Sequence, residues 1–323
     1  MSRILVTGAG GFIGYHLVNY LKDENHHIVC VDNFSRIPKD YEISLLQNRD
    51  NIEWIEASVE DINLLSISNE PFDYIFHLAT LNGTDNFYSK PFQVIKSVVL
   101  PTIHLLEELS KQQTLPKCFF LASTSEVYAS MTEMGLSSVP TPESTPIGVD
   151  NITNLRWSYA AGKIAAESAL ISAARELNLN WIIGRYHNVY GPRMGDKHFI
   201  PDFITRVKTQ EYFLYGAEQT RSFTFISDAI DQTVRIVNNP HSVNQIINIG
   251  SDNEVQIRVV ADIILRLLKI EKRIMKEFPA PLGSVNRRVP QLDLVREIIG
   301  QLNYVPLEEG LRQTIKWYEN HVF

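Results

Sequence analysis

The sequence predicts an α/β fold: a doubly wound parallel sheet with a smaller C-terminal lobe. Three observations predict it. Short apolar runs of strand length alternate with longer helical patterns from residue 4 to about residue 190. A glycine-rich turn joins the first run to the first helical pattern. The rhythm then changes after Tyr190-Gly191-Pro192. Strands alternating with helices pair in parallel through right-handed crossovers.

The elements follow in order. Ile4 to Thr7 is a short buried strand, and a helix runs from the glycine turn to about Asp23. Further strands are expected at Ile28 to Asp32, Ile52 to Ala57, Tyr74 to Ala79, Cys118 to Ala122 and Trp181 to Tyr186. A long helical pattern covers Pro91 to about Gln112; Pro101 inside it implies a kink or a break. Residues 130–155, with Pro140, Pro142 and Pro146, are expected to be ordered but irregular. A helix from about Leu155 to Leu177 follows. From Phe199 to Phe225 the pattern is of proline, aromatic residues and short segments. Helical patterns return at Ser227 to Val237, Gln256 to Leu268 and Leu307 to Trp317. Residues 1–190 are expected to form the main dinucleotide domain and 191–323 the smaller lobe, with some segments returning to the first.

The composition narrows the function classes. A 323-residue chain that is 44% hydrophobic and 21% charged is that of a globular protein with a sizeable core. A net charge of -7 gives no nucleic-acid footprint. The only cysteines, Cys30 and Cys118, fall in apolar strand patterns and are expected to be buried free thiols. No metal-ligand cluster, signal-peptide pattern or apolar stretch of membrane-spanning length is visible, so no metal and no membrane partner are expected. A cytoplasmic location is the default expectation.

Gly8, Gly11 and Gly14 are spaced G-x-x-G-x-x-G between the first strand and the first helix. In this Rossmann-like arrangement the first glycine permits the tight turn and the second lets backbone approach a pyrophosphate. The third allows close helix–strand packing. Phe12 and Ile13 belong to the helix start, whose free N–H groups attract phosphate. Asp32 ends the second strand, where an acid can accept hydrogen bonds from both ribose hydroxyls of NAD and repel a 2′-phosphate. As an alternative, Asp32 can simply cap its loop. Asn33 and Arg36 follow it; Arg36 can favour NADP or merely cover the adenine face. Tyr159 and Lys163 lie four residues apart on a predicted helix and so share a face. An ammonium beside a phenol lowers the phenol pKa and makes it a general base for a sugar or alcohol hydroxyl.

Together these pieces resemble the extended short-chain dehydrogenase/reductase family, whose members modify nucleotide-activated sugars. The matching residues are Thr7 to Gly14, Asp32, His77-Leu78-Ala79, Ser123 to Tyr128, Tyr159 with Lys163, and Arg185 to Pro192. The resemblance covers almost the whole chain. It implies NAD, held by the glycine turn, Asp32, Leu78 and Ala79, and a nucleotide-diphosphate sugar in the smaller lobe. Tyr159 is implied as the base at the sugar 4-hydroxyl and Lys163 as the nicotinamide-ribose ligand. Thr124 would hydrogen-bond the same hydroxyl. Asn188, Phe199, Arg221 and Arg288 are implied on the substrate side. A homodimer, packing residues 91–112 and 155–177 of each subunit, is implied as well.

The residues after Thr124 separate the reactions. The family's 4,6-dehydratases resemble Thr-Asp-Glu at this point, whereas this chain has Thr124-Ser125-Glu126. A serine hydroxyl has too high a pKa to replace the general acid. Thr-Ser-Glu is instead similar to the UDP-glucuronate decarboxylases, in which oxidation at C4 creates a β-keto acid that loses carbon dioxide. The leading expectation is therefore UDP-glucuronate decarboxylation, followed by 4-epimerisation and then dehydration. A non-catalytic NAD-binding scaffold is the answer from a different class. The chain departs from the family's pattern at residues 80–88, and at Val98, Pro101, Ala129 and Gly162.

Overall fold

The computed structural model describes residues 1–36, 39–68, 70–196, 198–271, 276–281 and 283–323. Among these, seven strands form one parallel sheet. Six are β1 (Ser2–Thr7), β2 (His26–Asp32), β3 (Ile52–Glu56), β4 (Tyr74–His77), β5 (Cys118–Thr124) and β6 (Trp181–Tyr186). The seventh, Gln245–Ile249, comes from the C-terminal part of the chain and pairs with β6. The spatial order is Gln245–Ile249, β6, β5, β4, β1, β2, β3. The direction of winding reverses between β1 and β4. A crevice opens there at the carboxyl ends of the strands, the usual ligand position in such sheets.

Side-chain alternation along the strands builds a core on each face. Ile4, Val6, Phe76, Phe120 and Ile182 pack on one face, with the helices Phe12–Leu21 and Ile226–Val237. Leu5, Ile75, Phe119, Leu121 and Ile183 pack on the other, with the helices Pro91–Ser110 and Ser158–Leu177. Both cysteines are buried free thiols in these layers. The smaller lobe holds the helices Phe199–Lys208, Ile257–Leu267 and Leu307–His321. It also holds a small sheet in the order Glu254–Gln256, Thr220–Ser222, Arg287–Arg288.

Several expectations need correction. Helix Pro91–Ser110 runs through Pro101 without a break. Proline removes one backbone donor but packing of the apolar face keeps the helix together, with Val94, Val98, Leu105 and Leu106 all buried. Phe199–Lys208 is helical; Pro201 sits in its first turn, where no intrahelical donor is needed. Glu126–Glu133 and Asp293–Ile299 are further helices that residue periodicity did not separate from their loops. The strand Gln245–Ile249 was likewise not anticipated.

Candidate active site

The strand ends deliver the site. Gly8 follows β1 at φ 70°, and a Cβ there would fall 2.7 Å from the Ala79 nitrogen. A Cβ on Gly14 would fall 2.1 Å from the Gly8 carbonyl oxygen. Glycine at both positions is thus required by backbone approach. Helix Phe12–Leu21 begins at Gly11 without a side-chain cap, and Gly11, Phe12 and Ile13 line the cavity beside it. Uncapped N–H groups at a helix start suit a phosphate. Asp32 accepts hydrogen bonds from the backbone N–H groups of Gly10 at 2.9 Å and Phe34 at 2.7 Å. Burial nevertheless leaves its carboxyl above the usual range. Asn33 donates to Ser58 Oγ at 2.9 Å. The Arg36 guanidinium lies against Gly195, where a Cβ would meet it at 2.9 Å, and burial lowers its pKa.

Gly8, Gly11, Gly14, Asp32, Asn33 and Arg36 line a cavity of about 400 Å³ together with Leu78, Ala79, Thr124, Ser125, Glu126, Tyr159 and Lys163. Asn188, Phe199 and Arg288 line it from the substrate side. Asn188, at φ 40°, donates its amide to the Ser222 carbonyl at 2.9 Å and so ties the end of β6 to the smaller lobe. Arg221 is the exception. Its side chain is absent from the lining among the described residues, and its guanidinium donates to Thr220 O at 2.7 Å and Gln219 Oε1 at 3.0 Å. Arg288, its register partner across the small sheet, reaches the cavity instead.

The Tyr159–Lys163 pair differs electrostatically from expectation. Both side chains are buried, and Lys163 Nζ stands 5.8 Å from the Tyr159 ring centre while donating to the Ala122 carbonyl at 2.7 Å. Burial raises the Tyr159 pKa and the Glu126 charge raises it further, opposed by Arg36. Burial pulls Lys163 down to about 8, against the pull of Glu167. Desolvation and the Glu126 charge therefore outweigh the pull of Arg36 in the protein alone.

The sequence points to Glu126 as a site acid but not to its partner Arg156. Arg156 donates to both Glu126 oxygens, at 2.9 and 3.0 Å, and Arg288 donates to Oε1 at 2.8 Å. Burial pushes the Glu126 carboxyl up, but the two guanidinium groups outweigh it and hold it at about 2. Arg156 Nη1 and Arg288 Nε remain buried and without a hydrogen-bond partner. The only sequence signal for Arg156 was its place three residues before Tyr159. Phe87 carries no sequence signal of its own within the departing segment 80–88. It lines the cavity and stacks on Tyr159, with centroids 5.2 Å apart and planes 9° apart. His77 bonds Thr7 and Thr102 through its two ring nitrogens. No group of metal-ligating side chains occurs among the described residues, and no helix there is long and apolar enough to cross a membrane.

A sequence profile of the NAD-dependent epimerase/dehydratase family matches residues 4–250. The chain is 32% identical to UDP-N-acetyl-alpha-D-glucosaminuronate decarboxylase of Bacillus cytotoxicus, with 98% of each chain covered. It is 30% identical to UDP-glucuronic acid decarboxylase 4 of Arabidopsis thaliana, over 99% of this chain and 69% of that one. Among solved structures, UDP-glucuronic acid 4-epimerase from Bacillus cereus, in complex with UDP-glucuronic acid and NAD, superposes with a TM-score of 0.87. That match covers 98% of this chain and 99% of the other at 24% identity, which speaks to the fold alone.

Proposed function

Because the chain belongs to the NAD-dependent epimerase/dehydratase family, and so is an enzyme that modifies nucleotide sugars with NAD, we propose that its reaction is decarboxylation of a UDP-hexuronate. UDP-glucuronate is the first candidate, and its 2-acetamido counterpart follows from the named bacterial relative. The glycine turn and helix start would hold the pyrophosphate, Asp32 the adenine ribose, and Tyr159 with Lys163 the nicotinamide ribose. NAD supplies the hydride acceptor and donor for C4. Tyr159 takes the proton of the sugar 4-hydroxyl, and Thr124 orients that hydroxyl. The resulting 4-keto acid has its carboxylate β to the ketone, so the C5–carboxyl bond can break and release carbon dioxide, its electrons delocalised into an enolate that then takes a proton at C5 from water.

The observation that carries this reading over dehydration is the double ion pair of Glu126 beside an alcohol at position 125; the 32% identity to a decarboxylase favours it over epimerisation. Dehydration needs an acid to protonate the leaving hydroxyl and a base to remove the C5 proton. Ser125 is a poor acid. Glu126, held at about 2, is ionised at neutral pH and weak as a base. Decarboxylation has no leaving hydroxyl to protonate and no C5 proton to remove. Arg288, which lines the cavity and keeps an Nε without a partner, offers a cation to an anionic substrate. We further propose a cytoplasmic homodimer. Phe92, Ile95, Leu100 and Ile103 on helix Pro91–Ser110 and Ile171 on helix Ser158–Leu177 leave an exposed apolar surface for it.

The test is to incubate NAD-loaded protein with UDP-glucuronate, its 2-acetamido analogue, and dTDP-, GDP- and CDP-sugars. A pentose product with carbon dioxide is expected from a UDP-hexuronate. Unchanged mass with inverted C4 would assign epimerisation instead, and loss of water would reverse the ranking. Tyr159→Phe should abolish turnover and keep NAD binding.

A further inference from the structure

We infer that Arg156 is a positioning residue for Tyr159, acting through two bodies: Glu126, which it holds, and Phe87, which it covers. The inference rests on Tyr159 being the proton acceptor in the reading above. Arg156 lies in the short 3₁₀ turn Leu155–Trp157 that leads into the helix of Tyr159. That turn is fixed locally: Asn154 Oδ1 accepts the Arg156 N–H at 3.1 Å. From there the buried guanidinium grips both oxygens of Glu126. It also lies over the Phe87 ring, 5.1 Å from its centre. Phe87 in turn lies flat on Tyr159. A column of cation, ring and ring thus ends on the phenol, and one guanidinium closes both the column and the ion pair.

The consequence follows from the charges that face the phenol. Lys163 faces it from its own helix and Arg36 from the segment after β2. Glu126 faces it from helix Glu126–Glu133, while Arg288 approaches Glu126 from the smaller lobe. Glu126 is the group among them that opposes the phenolate. Arg156 offsets that charge at its source and keeps the carboxylate turned to the two arginines. Without it, Glu126 retains only Arg288, and Phe87 loses its cover.

The experiment mixes NAD-loaded protein with UDP-glucuronate and follows cofactor reduction across pH. This readout precedes decarboxylation, epimerisation and dehydration alike, so an error about the later step leaves it intact. Arg156→Met should move the acid limb of the rate upward by about one pH unit. Arg156→Lys should recover most of the shift, and Glu126→Gln in the Arg156→Met background should reverse it. Phe87→Leu should slow reduction while leaving the limb in place, since it removes the stack and no charge. A crystal structure of NAD-bound Arg156→Met should show Phe87 off the Tyr159 ring and Glu126 on Arg288 alone. The inference is overturned if Arg156→Met raises KM with an unmoved pH limb. It is overturned equally if Phe87 and Glu126 keep their places in that crystal structure, which decides the matter even for a protein that does not reduce its NAD with this sugar.

Discussion

Glu126 shows how strongly two neighbours can set the state of one side chain. Burial raises its pKa, yet Arg156 and Arg288 hold it at about 2 against an ordinary value of 4.5. A depressed folded pKa contributes stability that is complete above the unfolded value and is lost as pH falls toward the folded one. The wild-type protein should therefore shed the Glu126 contribution between about pH 4.5 and 2. Glu126→Gln should lack this acid dependence. At neutral pH it should cost about 3 kcal/mol, because it leaves two guanidinium groups without their counter-charge. Thermal unfolding midpoints of both proteins across that window measure the difference. Parallel curves would remove Glu126 as the source. Tyr159 illustrates the reverse case: Arg36 pulls its phenol pKa down, but desolvation dominates.

At the scale of elements, the helices Pro91–Ser110 and Ser158–Leu177 pack side by side against one face of the sheet. Two departures from the family's pattern meet at their crossing. A Cβ on Gly162 would stand 3.3 Å from the Val98 Cβ, so the glycine leaves room for the valine. Glycine costs a helix about 1 kcal/mol relative to alanine, and close packing here offsets that cost. Gly162→Leu should destabilise the protein by about 1–3 kcal/mol through overpacking. Val98→Ala in the same chain should restore part of the loss. Urea unfolding of the single and double variants tests the pair; equal losses in both would mean that Gly162 and Val98 do not share the space. The same crossing places Lys163, one residue further on, at the cavity wall.

For the whole molecule, the winding reversal between β1 and β4 and the lobe beyond it make one cavity out of residues far apart in sequence. A cofactor bound there couples to global stability. NAD at one hundred times its Kd should add about 2.7 kcal/mol. A rise in the thermal unfolding midpoint with NAD concentration measures it. Gly14→Ala should abolish the rise, since the added methyl would overlap the Gly8 carbonyl; an unchanged rise would move the pyrophosphate elsewhere. The sequence by itself determined the sheet class, the glycine turn, and Tyr159 with Lys163 on one helix. Those features depend on backbone conformation and on periodicity, which neighbouring residues set. It did not disclose the seventh strand, since Gln245 and Asn248 interrupt the apolar run of Gln245–Ile249 and the strand is held by pairing with β6. Nor did it disclose that Arg221 turns away while Arg288 enters the cavity, or that Arg156 joins Glu126 to Phe87. Charges and rings brought together from residues 87, 126, 156 and 288 meet only when the chain is folded. Their effect on one another depends on distance and burial, which only the tertiary structure decides.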